Sequence, residues 1–311
     1  MPARSLLQVA EVWVPESGGR LRLHAGSYGT HPELRSARAE ASVGLNEGLA
    51  GRVQATGMPL VINHFAGESS RTELAHVAGL TAALGFPLVS DRELKAVVLL
   101  FCGSPADGGG ALEVWAPSGA AQELYLHSGY YGRHDDFRRL SALLRFPPEV
   151  GLPGRVWASG DAAIMDDLGT SSAFLRSLAA RTIGLEMGLG LPVFRQGAVG
   201  SVVAMLSGRG PPLARAFEIW RPNPDGARLS LGEGAYPGMP AFAEHSRGVT
   251  MGPGEGLPGR VWATKLPWVL DELSPADFVR AEAAREAELT WGVGIPILRD
   301  DQVQSVVVLL S

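Results

Sequence analysis

The 311-residue chain has one cysteine, Cys102, which excludes an internal disulfide framework and any metal site built from several thiolates. It has no excess of basic residues. Its 27 Lys and Arg stand against 32 Asp and Glu, a net charge of -5, so the electrostatic term that drives non-specific binding to nucleic acid or an anionic membrane is lacking. Long apolar runs are missing too: AVVLLFC at 96–102 is far too short to cross a bilayer, and the opening MPARSLLQVAEVW has no signal core. The sequence also lacks HExxH, G-x-S-x-G and GxxxxGK[ST], and no nucleophile–base set or metal cluster stands out. These absences lead to the expectation of a soluble cytoplasmic protein with no nucleic-acid or membrane partner. They also point away from an enzyme, a metal and a cofactor. Cys102, closing an apolar run, reads as a buried and inert thiol.

What the chain does have is a repeat. Trp13, Trp115 and Trp220 lie 102 and 105 residues apart, and Pro87, Pro192 and Pro296 lie 105 and 104 apart. The stretch GLAGRVQATG at 48–57 returns as GLPGRVWASG at 151–160 and GLPGRVWATK at 256–265. A second pattern, L-x-L-x-x-G-x-Y, ends at Tyr28, Tyr131 and Tyr236. A unit of about 100 residues is long enough to enclose its own core, unlike a solenoid repeat. Three domains follow, at 1–105, 106–210 and 211–311. Their joints, SPADGGG at 104–110 and SGRGPPLAR at 207–215, are short, so the units are expected to pack closely or to flex on brief tethers, without a connecting signalling helix and with no room for an output domain after Ser311.

Within a unit, ALEVW and ELYLHSG read as paired strands, DFRRLSALLRF at 136–146 has helical spacing, and Pro153 suits the first turn of a short helix. Residues 162–165, 61–62 and 268–270 read as a third strand, followed by a helix at 172–182. Two closing strands, LGLPVFR and AVGSVVAML, form a hairpin. Strands at both ends with helices between give an α+β domain. Gly254, Gly256 and Gly259 spell GxGxxG, but the other two copies lack the first glycine and Pro258 sits inside, so this is a turn into a helix and not a dinucleotide site.

The order of EVWVP/EVWAP/EIWRP, GLAGRV/GLPGRV/GLPGRV and FPLV/LPVF/IPIL resembles the GAF domain family, and more narrowly the GAF-like regulatory region of plant-type NIN-like transcription regulators. The resemblance implies three tandem GAF-like (PAS-like) domains, each a six-stranded antiparallel sheet with helices on both faces, a pocket between sheet and covering helices, and a sensory or dimerising role. Several family features are absent. Covalent bilin is disfavoured because Cys102 belongs to the last strand of its unit, and one thiol cannot serve a methionine sulfoxide reductase. The N-K-x-n-F-x-x-x-D-E signature of cyclic-nucleotide binders is not found. Leu74, Ala179 and Ala283 stand where the NIN-like pattern has the histidine of R-x-x-H-A, and the RWP-RK motif is missing.

Candidate ligand-binding residues come from the repeated positions. Arg52, Arg155 and Arg260 in GRV suit an anion near a helix start, with a structural ion pair to the following acidic residue as the plainer reading. Arg71, Arg176 and Arg280 follow 19 to 21 residues later; they converge on the same pocket or, more plainly, face solvent from the second helix. Asp166 and Asp271, with Asp167 and Glu272, suggest acid–base or metal work, or else helix capping and pairing with Arg155 and Arg260. Trp157 and Trp262 line a pocket or pack in a core. The first repeat diverges, with Gln54 for the tryptophan and Asn63 and His64 for the acidic pair. The resulting expectation is a sensory or regulatory protein that holds a small ligand noncovalently and acts through a signalling partner or a copy of itself. The alternative is an interaction scaffold whose pockets are filled by their own side chains.

Overall fold

The computed structural model describes residues 5–38, 41–63, 65, 79–103, 109–119 and 122–311. Arg71, with His64 and Leu74, lies outside the described residues. The first repeat contributes β1 (Leu7–Pro15), β2 (Leu21–Ser27), β3 (Ser42–Val43), β4 (Leu60–Ile62), β5 (Leu80–Ser90) and β6 (Glu93–Gly103). The second contributes β7 (Gly110–Pro117), β8 (Leu124–Tyr130), β9 (Arg145–Phe146), β10 (Ala163–Met165), β11 (Leu185–Arg195) and β12 (Ala198–Gly208). The third contributes β13 (Ala216–Pro222), β14 (Leu229–Ala235), β15 (Thr250–Met251), β16 (Trp268–Leu270), β17 (Gly292–Arg299) and β18 (Gln302–Leu310).

Each set forms its own six-stranded antiparallel sheet, and the order is the same every time: β3-β2-β1-β6-β5-β4, then its two equivalents. The first strand always lies beside the last, which places the repeated Trp strand at the sheet's centre. Against the second strand the register slips by one residue just before Trp13, Trp115 and Trp220 alike.

The repeated GLxGRV segment opens a nine-residue helix in every unit: α2 (Gly48–Thr56), α4 (Gly151–Ser159) and α7 (Gly256–Thr264). The other described helices are α1 (Pro32–Arg38), α3 (Asp135–Leu143), α5 (Ser177–Ile183), α6 (Pro240–Arg247) and α8 (Ala281–Glu286). Two glycines of the motif have separate jobs. The first sits at positive φ (58°, 64° and 58°), where a side chain is strained. The second lets the helix touch the preceding loop, since a Cβ on Gly51, Gly154 or Gly259 would lie 2.1–2.2 Å from a backbone carbonyl oxygen. Val53, Val156 and Val261 then settle over Gly85, Gly190 and Gly294 of the fifth strand.

The helices do not cover both faces of the sheets, as the resemblance implies. In the first two repeats, the described helices pack on the face that carries Trp13 or Trp115. The opposite face is taken up by the other repeats: Val12, Val98 and Leu100 of the first, Val114, Leu189 and Met205 of the second, and Ile219, Val307 and Leu309 of the third belong to one buried cluster. With both sides of every central strand dry, no face is left for a second helical layer.

The three units close on themselves around this shared core. The β4 edge of the first packs on β7 and β8 of the second, β10 of the second on β13 and β14 of the third, and β16 of the third on β1 and β2 of the first. Of the two sequence expectations, the close packing holds. Cys102 is fully buried in the shared core, and burial pushes its thiol up to about 12. Among the described residues no helix is long and apolar enough to cross a membrane.

Candidate functional site

The covered space between sheet and helices is where the candidate arginines were expected to converge. In the second repeat the strand β7 alternates, so Glu113 and Trp115 face the helices together. Glu113 is completely buried, and its charge is met by Arg176 from the residue just before α5. The guanidinium donates from Nη1 to Glu113 Oε1 and from Nη2 to Oε2, the latter at 2.9 Å. Trp115 Nε1 donates to the same carboxylate at 3.0 Å and the Tyr131 hydroxyl at 2.9 Å, while Arg176 Nη1 also donates to Ser141 Oγ at 2.5 Å. Phe137 and Phe174 enclose the guanidinium, with ring centroids 4.7 and 4.9 Å from its carbon.

The third repeat builds the same assembly from Glu218, Arg280, Trp220, Tyr236 and Ser246. Its two guanidinium–carboxylate bonds are 2.5 and 2.8 Å, and Trp220 and Tyr236 donate to Glu218 at 2.8 and 2.9 Å. Burial, and then the neighbouring carboxylate, push both tyrosine hydroxyls far above the usual tyrosine range. In each assembly the carboxylate accepts four bonds, and the arginine Nε–H has no acceptor among the described residues. In the first repeat Trp13 Nε1 donates to Glu11 Oε2 at 2.8 Å, with Glu11 equally buried.

Two expectations are therefore corrected. Arg176 and Arg280 do not face solvent; a bidentate partner and four aromatic or hydroxyl neighbours make burial tolerable. They also do not converge with the GRV arginines. Arg155 is exposed, lines a 380 Å³ pocket at the seam between repeats two and three, and has no ion-pair partner among the described residues. Arg260 pairs with Asp277 at 2.7 Å and lies over the Trp268 ring, and it pairs with neither Asp271 nor Glu272. Arg52 is half-buried on α2.

The acidic candidates sit at seams. Asp271 accepts from Ser27 Oγ of the first repeat at 2.6 Å and pairs with Arg35. Burial works against its charge, but the bonds from Ser27 and Arg35 outweigh it and hold the carboxyl below the usual range. Asp166 occupies the matching place between repeats two and three, where Ala235 and Ala243 replace Ser27 and Arg35. Burial, then Asp167 and Glu233, raise its carboxyl. Together with Asp167, Glu186 and Tyr236 it lines a 570 Å³ pocket. Neither aspartate pairs with the arginine of its own GRV segment. Trp157 and Trp262 are half-buried and pack against the cores. Among the described residues no group of three or more acidic, histidine or cysteine side chains is arranged to hold a metal.

No protein-family model and no curated protein matches the chain. Solved structures do. The nlh2 GAF domain of A. aeolicus in an inactive state aligns with 32% of this chain and 58% of its own, at 18% identity and a TM-score of 0.26. The GAF domain/HD domain protein of Geobacter sulfurreducens aligns with 33% of this chain and 65% of its own, at 15% identity and a TM-score of 0.27. An NreA protein of Staphylococcus aureus, mutated in its nitrate binding site, aligns with 34% and 79%, at 17% identity and a TM-score of 0.28. Each match has the length of a single repeat, and the first two leave more than a third of the neighbour's own chain unmatched.

Proposed function

The three repeats being GAF-like α+β domains, we propose that the chain is a non-enzymatic regulatory module that works by holding protein partners, its second and third interiors filled by its own side chains. The observation that carries this reading is the buried Arg176–Glu113 pair and its twin Arg280–Glu218. A ligand entering there would have to displace a guanidinium already held by two hydrogen bonds to a carboxylate, and leave one buried charge unpaired. Such a loss costs about 3–5 kcal/mol, more than a small polar ligand regains in a few contacts.

A second reading has its own support. The seam pocket beside Arg155 holds an exposed, uncommitted guanidinium close to Asp161, Arg221 and Glu233, a mixture suited to a small zwitterion or acid. Native mass spectrometry of gently purified protein, followed by thermal shift against nitrate, cyclic nucleotides, haem and small acids, separates the two. The first reading expects no mass excess and no shift. Stabilisation that tracks ligand concentration and disappears in Arg155→Ala would replace it with the second. Steady turnover abolished by Arg155→Ala or Asp166→Ala would overturn both.

A further inference from the structure

Two outward helical faces are apolar and of opposite charge. On the second repeat, α3 turns Phe137 and Ser141 inward, so Leu140 and Leu143 are left on its solvent side. Leu175 and Leu178 flank the buried Arg176, whose bond to Ser141 ties the end of α3 to the start of α5. Leu143 is 78% exposed and Leu178 68%, values that no core requirement explains. Around them stand Arg138, Arg139, Arg145 and Arg181, all exposed. The first two pair within their own helix to Asp135 and Asp136; Arg145 and Arg181 meet no carboxylate among the described residues.

The same region of the third repeat is a groove of about 690 Å³ beside α8. Pro275, Val279 and Leu289 are among its apolar lining, with Val279 52% exposed, while Glu272, Glu282 and Glu288 supply acidic lining against a single cation, Arg285. Where the second repeat presents Leu178, the third presents Glu282.

We propose that this groove receives the leucine face of the second repeat from another copy of the same chain. Charge decides between the possible pairings: second on second sets arginine against arginine, third on third sets glutamate against glutamate, and only second on third joins opposite signs around apolar centres. The contact joins two different patches. Each added copy therefore offers a fresh leucine face and a fresh groove, and assembly continues until a ring closes or a filament forms. The association goes beyond the partner-binding role proposed above and does not depend on it.

Sedimentation velocity of the full chain at rising concentration tests the proposal. The wild type associates, and the association weakens with added salt. Leu143→Glu/Leu178→Glu removes the knob and Val279→Glu fouls the groove, each weakening self-association by about tenfold or more while leaving circular dichroism unchanged, because all three side chains are exposed. Mixing the two variants is the decisive arm: each supplies the face the other has lost, so they form a 1:1 complex that cannot grow. A wild type that stays monomeric at about 0.1 mM overturns the proposal, since a contact that weak would not assemble. Association indifferent to both variants, or variants that fail to pair when mixed, overturns it equally.

Discussion

Ser27 Oγ and Asp271 Oδ1 are 244 positions apart in the chain and 2.6 Å apart in space. Their bond joins the third repeat to the first and, with Arg35 on the other oxygen, closes the ring of three units.

Asp271 has a depressed carboxyl pKa, so its contribution to stability is present above the unfolded value near 3.9 and is lost as pH falls through the folded value. Asp271→Ala should cost about 1 kcal/mol at neutral pH, a partly exposed hydrogen-bonded pair discounted for solvent screening, and should flatten the acid limb of a urea-unfolding series. Asp166 has the opposite sign. Its raised carboxyl favours the folded state when protonated, and that advantage disappears as pH rises through the folded value. Asp166→Asn should leave stability unchanged or higher at pH 7, by up to about 0.5 kcal/mol, and lower the pH dependence between acid and neutral.

Arg176→Met alone should destabilise by about 3–5 kcal/mol, because it strands Glu113 without its cation in a dry interior. Glu113→Gln should cost a comparable amount for the converse reason. The double change Glu113→Leu/Arg176→Met should recover most of the loss, and a double-mutant cycle by chemical denaturation would measure the coupling directly. If each single change costs less than about 1 kcal/mol, the pair is not holding the interior together.

Gly154→Ala and Gly259→Ala test the close approach inside the repeated motif. The added methyl would press on the carbonyl oxygen of Pro147 or Gly252, and the helix would have to lift from the loop. The expected cost is about 1–3 kcal/mol for each, read as a fall in melting temperature.

Lys265 ends its helix in a left-handed conformation, φ 56°, at the place where Gly57 and Gly160 end theirs. Glycine there should be better by about 1 kcal/mol, but Lys265 also pairs with Asp301 at 2.5 Å, which takes back part of the gain. In an Asp301→Ala background, Lys265→Gly should show its full stabilisation; no gain in that background would mean the left-handed turn carries no strain.

The repeat and five of the six strands within it were legible because the markers are bulky or backbone-determining, tryptophan at the sheet centre and glycines that no other residue replaces; the two-residue strands β3, β9 and β15 and the order of strands in the sheet were not. The central site was half legible. Arg176 and Arg280 were singled out by recurrence, but Glu113 and Glu218 were not, although EVW, EVW and EIW repeat the glutamate as faithfully as the tryptophan. Alternation puts the two side chains on one face, and a glutamate beside a core tryptophan requires a buried cation. The shared core was also written in the sequence, since AVVLLFC, SVVAMLS and SVVVLL are continuous and not alternating, the mark of strands buried on both sides. Which residues meet across the seams was not legible. Asp271 finds Ser27 and Arg35 through the closure of the ring, a relation that no local spacing records.

Because the ring is built from one polypeptide, its joints are free to differ. Asn63 donates to the Gly129 carbonyl at one, Glu233 accepts from the Ile164 N–H at the next, and Asp271 holds Ser27 and Arg35 at the third. An assembly of three identical subunits must stamp every amino-acid change on all its junctions at once. Here a single substitution alters one junction and spares the other two, so one hinge line can be loosened or tightened while the rest of the arch stays shut.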